Sequence, residues 1–242
     1  MKMMKSKSGI HKAHGIIAAL ICLCLFACYN ESTKTPEEIV QKPVVFVPKA
    51  PSFNEDSAYH WIQKQVAFGP RVPGSKAHAN CAAFIEKTLK DFGLTVVVQS
   101  APISTYDGKI FNLKNIIASY KPDFQKRVLL LAHWDSRPIA DNDTKDENKA
   151  IDGADDGGSG VAVLLEIARQ LSKADLKVGV DLFFSDLEDY GQPEDSDKPK
   201  MQDSWCLGTQ YWAKSPHVLG YTANYGILLD MVGAKGAVFP RE

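Results

Sequence analysis

The stretch from Arg127 to Gln170, RVLLLAHWDSRPIADNDTKDENKAIDGADDGGSGVAVLLEIARQ, sets the terms for the whole chain. Val128 to Ala132 is apolar at every position and has the length of a strand, so both of its faces are expected to be covered by helices, as in the parallel centre of an α/β sheet. His133 and Asp135 follow at once. Ionisable groups are costly inside a core, so a His and several carboxylates placed where an apolar run stops belong at the mouth of a sheet, which is where open α/β folds bind ligands. Gly157-Gly158-Ser159-Gly160 then lets the backbone turn into a helix carrying Val161, Leu164, Leu165, Ile167, Ala168 and Leu171 at helical spacing. A phosphate cradle at these glycines is disfavoured, because Asp155 and Asp156 stand in front of them and would repel an anion.

The flanking chain extends the pattern. Ala58, Trp61, Ile62, Gln65 and Val66 give a helical face that ends at Gly69-Pro70, and Ser75 is placed to cap a second helix, with Ala82, Ile85, Leu89 and Phe92, that stops at Gly93. Leu94 to Gln99 and Phe111 to Ser119 read as strands on either side of Tyr106-Asp107-Gly108. Val178 to Phe184 is a further buried strand, followed by a helix from Trp205 to Ala213 and a strand from Gly226 to Met231. The order of elements predicts an α/β fold with a mixed, centrally parallel β-sheet flanked by helices.

The chain has 242 residues and a formal net charge of -1, which argues against bulk nucleic-acid or anionic-membrane binding, since both need a basic face. Carboxylates crowd Asp135 to Asp156 and Asp186 to Asp203, a pattern that suits a metal or a cationic substrate as well as it suits two solvated acidic loops. At the N-terminus, four lysines precede the apolar run Ile16 to Ala27, too short to span a bilayer but of signal-peptide length. Ala27-Cys28 resembles a bacterial lipoprotein processing site, with ordinary secretion as the alternative. Residues 1–27 are therefore expected to be a signal peptide, 28–52 an extended Pro-containing tether, and 53–242 a catalytic α/β domain. On this reading the protein is exported, and contacts a membrane only through a lipid on Cys28. Cys81 and Cys206 could pair in an oxidising compartment, although two distant cysteines are more often small buried side chains.

Three predicted strands end in imidazole or carboxylate groups: His133 and Asp135, then Glu188 and Asp189, then Asp230. Each has a plainer reading alone, as a satisfied core histidine, a strand-end cap, or first-turn carboxylates at Asp155 and Asp156. Brought together on one sheet edge, ionised carboxylates need a compensating cation, and nitrogen and oxygen ligands without thiolate suit a catalytic zinc. His60, His78 and His217 lack an acidic neighbourhood in sequence and are given no role.

At these residues the chain resembles the zinc aminopeptidase family, whose motifs stand here as His133-Trp134-Asp135, the run Gly153 to Gly160, Glu188-Asp189 and Leu229-Asp230-Met231-Val232-Gly233. The AHWDSRP, LEDYG and DSWCLGTQYW segments are most similar to the glutaminyl cyclases of that family. The resemblance implies one zinc per chain and peptide or protein substrates with N-terminal glutamine, cyclised to pyroglutamate with release of ammonia. It implies Asp156 and Asp189 as zinc ligands, with Asp189 replacing the commoner glutamate. It further implies Glu188 as general acid/base, Asp230 as a second catalytic acid supporting Glu188 by hydrogen bonding, and Trp205 as an aromatic wall of the substrate pocket. In a two-zinc aminopeptidase of the same family His133 would itself be a ligand. The family's third zinc ligand, a later His, has no counterpart before Glu242, so the sequence reads as a C-terminally incomplete member, with a non-catalytic surface lipoprotein as a further alternative.

Overall fold

A computed structural model describes residues 51–239; the signal segment, Cys28 and all but the end of the tether lie outside the described residues. Helix α1 (Glu55–Val66) begins where the Asn54 side chain accepts the Ser57 amide at 2.9 Å. Ser75 caps α2 (Lys76–Asp91) by accepting the His78 amide at 3.0 Å, and Gly93, at φ 79°, ends it. Strands β1 (Thr95–Ser104) and β2 (Ile110–Tyr120) form an antiparallel hairpin, longer than the sequence runs predicted. Next come β3 (Arg127–His133), α3 (Gly158–Leu171), β4 (Gly179–Ser185), α4 (Leu207–Lys214) and β5 (Tyr225–Leu228).

The five strands form one mixed sheet in the order β1-β2-β4-β3-β5, in which β3 runs parallel to both β4 and β5 while β2 meets β4 antiparallel. The expectation of a mixed sheet with a parallel centre is met. The deepest strand is β4 rather than β3: every residue from Gly179 to Ser185 is buried, whereas Val128, Leu130 and Leu131 of β3 are half-buried. Among the described residues β4 has long neighbours on both sides, whereas β3 has on one side the four-residue β5. That last strand is shorter than predicted, and all four of its residues are exposed.

The main core lies between the sheet and helices α1 to α3, where Ile85, Leu89, Leu164, Leu165, Leu182 and Phe184 are fully buried. On the opposite face Phe183 and Ile117 pack with Trp212 and Tyr221. Glu166 is buried in α3 and accepts hydrogen bonds from Arg169, Gln170 and the Asn54 amide, tying the start of α1 to α3. Burial opposes its charge, but these bonds outweigh burial and bring its pKa down to about 2 from 4.5. A depressed carboxyl contributes stability above its unfolded pKa and loses it as pH falls through the folded value. Glu166→Gln is therefore expected to cost about 1–3 kcal/mol at neutral pH, with the gap from wild type closing near pH 2, as read from urea unfolding at the two pH values.

Candidate metal-binding active site

Parallel pairing in the order β4-β3-β5 brings the C-terminal ends of three strands side by side. His133 closes β3, Glu188 and Asp189 follow β4, and Asp230 lies two residues beyond β5. Asp156 precedes α3, which begins after Gly157 in a left-handed conformation (φ 72°). A Cβ at Gly157 would come within 2.9 Å of both the Asp135 carbonyl and the His133 ring, so a glycine is needed for the loop to pass this close to the imidazole. Asp155 accepts the Gly233 amide at 2.7 Å, while Ser159 Oγ accepts the Val232 amide at 2.9 Å, fastening the segment after β5 to α3.

The acidic loop is held from behind. Arg71 is fully buried and donates to three carbonyls, Trp134 (2.9 Å), Asp152 (2.6 Å) and Gly153 (2.7 Å), so one side chain sets the path on both sides of the site. Burial lowers its pKa, opposed by the nearby Asp135 and Asp156 carboxylates. Asp135 uses both oxygens to accept backbone amides, those of Glu188 and Asp189, each at 3.1 Å. It is thus a brace across the β3 and β4 ends, and its two amide bonds together with His133 keep its pKa low despite complete burial.

His133, Asp156 and Asp189 each offer a ligand atom within 4.8 Å of the others. His133 Nε2 is 2.9 Å from Asp156 Oδ1 and 3.4 Å from Asp230 Oδ1, and Nδ1 is 3.6 Å from Asp135. None of these approaches is aligned as a hydrogen bond, and both ring nitrogens and Asp189 Oδ2 are buried without a directed partner among the described residues. Burial disfavours charge on His133, yet the facing carboxylates hold its pKa well above the ordinary value. For Asp189 burial, reinforced by Asp135, wins and the pKa is pushed up to about 8. Two carboxylates about 4 Å apart repel by about 4 kcal/mol at an effective dielectric of about 20. Unpartnered buried nitrogen and oxygen, with a carboxyl driven to hold a proton, fit a divalent cation of the zinc type.

Asp156 and Asp189 line one cavity of about 550 Å³ with Arg137, Asp141 and Trp205. The Trp205 ring lies against Gly191, where a Cβ would fall 1.9 Å from it, and under the Arg137 guanidinium at 4.5 Å. Arg137 also donates to the Asp189 carbonyl at 3.0 Å. Glu188 is joined to Cys206, whose Sγ donates to Oε1 at 3.1 Å and whose amide donates to the Glu188 carbonyl at 3.1 Å. Burial and then this carboxylate push the Cys206 thiol up to about 12. Cys81 is buried in the main core, and among the described residues the two cysteines are not paired.

The ion-pair partner of Asp230 is His133, at 3.4 Å, and among the described hydrogen bonds and ion pairs none joins Asp230 to Glu188. One expectation needs correction. His78 has an acidic neighbour after all: its Nε2 lies 2.8 Å from buried Asp186, which is 108 positions away in sequence and reaches it through the packing of α2 beside the β4 end. Arg71 carried no sequence signal of a role, since its partners are backbone carbonyls; Arg137 and Cys206 stand within the AHWDSRP and DSWCLGTQYW segments, but their contacts with Trp205 and Glu188 appear only in the fold.

The pattern of Peptidase family M28 matches residues 115–240. The chain is 54% identical to a Zn-dependent exopeptidase from Parabacteroides distasonis and 49% identical to a Bacteroides thetaiotaomicron glutaminyl cyclase. Both solved structures superpose with a TM-score of 0.76, covering 78% of this chain and 65% of theirs. A glutaminyl-peptide cyclotransferase of Drosophila melanogaster is 29% identical over 185 residues, covering 70% of this chain and 46% of the relative. This chain therefore spans about two-thirds of the solved relatives and about half of the curated one. The matched region holds every strand end that contributes to the site, and on that ground the chain belongs to peptidase family M28.

Proposed function

We propose that the protein is a zinc-assisted glutaminyl-peptide cyclotransferase that converts N-terminal glutamine of peptides or proteins to pyroglutamate. The observation that carries this reading is the cavity in which the Trp205 ring shares a wall with Asp156 and Asp189, one residue from Glu188. A flat ring beside a carboxylate cluster suits a small amide-bearing side chain and a neighbouring amine. The similarity to a solved glutaminyl cyclase supports it.

Asp156 and Asp189 would hold the metal, with His133 within ligand distance of both. Zinc, when bound, supplies a Lewis acid for the substrate's side-chain carbonyl. The chain's own residues do the proton work. The substrate α-amine nitrogen attacks the side-chain amide carbon, Glu188 takes the amine proton, and the same proton passes to the amide nitrogen as the carbon–nitrogen bond breaks and ammonia leaves. The Cys206 thiol on Oε1 orients the carboxyl and leaves Oε2 for this transfer. Export, with a lipid on Cys28 as the membrane anchor, belongs to the same proposal.

A second reading, a two-metal exopeptidase, is favoured by His133 standing close to both Asp156 and Asp230, which would provide ligands for another ion. Mass spectrometry separates the two. With zinc present, a glutamine-initiated peptide is expected to lose one ammonia and yield no free amino acid. Release of the first amino acid would favour the exopeptidase, and an unaltered peptide of either kind would favour the non-catalytic lipoprotein.

A further inference from the structure

Behind the site, four residues from four parts of the chain close a ring. His78 of α2 donates from Nε2 to Asp186 Oδ1 at 2.8 Å, and Asp186 Oδ2 accepts the Lys114 amide at 2.8 Å. The Lys114 carbonyl accepts Trp134 Nε1–H at 3.2 Å, and the Trp134 ring lies on the His78 ring at 4.2 Å between centroids with 26° between planes. Asp186 and Trp134 are fully buried, and His78 is 4% exposed.

The position of this ring gives it a consequence for the site. Trp134 stands between His133 and Asp135, while Asp186 precedes Leu187, Glu188 and Asp189. Asp186 Oδ1 also accepts the Leu187 amide at 2.8 Å, and Leu187 has a left-handed backbone (φ 54°) that costs about 1 kcal/mol or more for a side chain of its kind. The strained turn that presents Glu188 and Asp189 is therefore gripped twice, by Asp135 in front and by Asp186 behind. From α2, His78 reaches both strand ends, through a hydrogen bond to one and a ring contact to the other. A buried carboxylate deprived of its imidazole donor is destabilised, with only the Lys114 and Leu187 amides left to hold it against the turn.

We infer that His78 is a positioning residue of the active site, acting through Asp186 and Trp134 to fix the separation between the β3 end bearing His133 and the β4 end bearing Glu188 and Asp189. This rests on the metal site and activity proposed above. Three variants test it. His78→Phe keeps a ring on Trp134 and removes the donor, His78→Gln places an amide nitrogen where Nε2 stands, and Trp134→Phe removes the bond to Lys114.

Zinc affinity, measured by competition with a chromogenic chelator and without substrate, is expected to fall about 10–100-fold in His78→Phe. It should recover to within about threefold in His78→Gln, and fall in Trp134→Phe. With a glutamine-initiated peptide, kcat should fall in the same order while KM moves by less than about threefold. Wild-type zinc affinity in a folded His78→Phe would overturn the inference, as would lost melting temperature without loss of affinity. If His78→Phe does not fold, unchanged affinity in Trp134→Phe overturns it. Should the affinity order hold while no variant, nor the wild type, cyclises peptide, the proposed activity fails and the positioning role stands.

Discussion

Glu188→Gln is expected to lower kcat for cyclisation of a glutamine-initiated peptide by about 10²–10⁴-fold, with no change in melting temperature. The substitution is close to isosteric. The Glu188 carbonyl keeps the Cys206 amide, the side-chain carbonyl can still accept from the Cys206 thiol, and Asp135 still holds the backbone of the turn. What disappears is the only property an amide lacks, the capacity to accept a proton from the attacking amine and return it to the departing nitrogen. Substrate binding should survive, so KM is expected to change little beside kcat. Ammonia release coupled to a dehydrogenase assay reads the rate directly, and a variant that cyclises at the wild-type rate would remove Glu188 from the chemistry.

Zinc binding is expected to tighten about tenfold per pH unit below pH 8 and to level off above it. The sign follows from Asp189, whose burial beside Asp135 pushes its pKa up to about 8. Below that pH the carboxyl carries a proton that the metal must displace, so raising the pH removes the competitor. The same shift acts on the metal-free fold. Between the ordinary carboxyl range and pH 8 the folded chain holds a proton that the unfolded chain has released, so stability falls as pH rises, and zinc should restore it. The slope also counts metals. If Asp156 and Asp189 bind one ion and His133 keeps its proton, about one proton is released per chain; if His133 must become a neutral ligand for a second ion, more are released. Calorimetry in buffers of different ionisation enthalpy gives the number. A slope unchanged by Asp189→Asn would show that some other group is the competitor.

Much of this architecture could be read from residue pattern because the signals were local. An apolar run of five residues ending in His133, glycines before an apolar helix, and a second run ending in Asp186-Leu187-Glu188-Asp189 each declare a strand or helix and its polar end. Parallel neighbours then place those ends together. What sequence could not carry was anything decided by strand order. That β5 pairs beyond β3, so that Asp230 meets His133, is a property of the sheet and of no single segment. The meeting of His78 with Asp186 fails to show for the same reason, as does the thiol of Cys206 on Glu188 across 18 residues. Buried Arg71 is illegible for a different reason, since its partners are backbone carbonyls, which every residue possesses.

Every residue of β4 is buried, and the strand is hydrogen-bonded on both sides, to β2 and to β3. Core strands of that kind open only with global unfolding. In amide hydrogen exchange the β4 amides are therefore expected to exchange last, so Glu188 and Asp189 keep their places until the domain as a whole gives way.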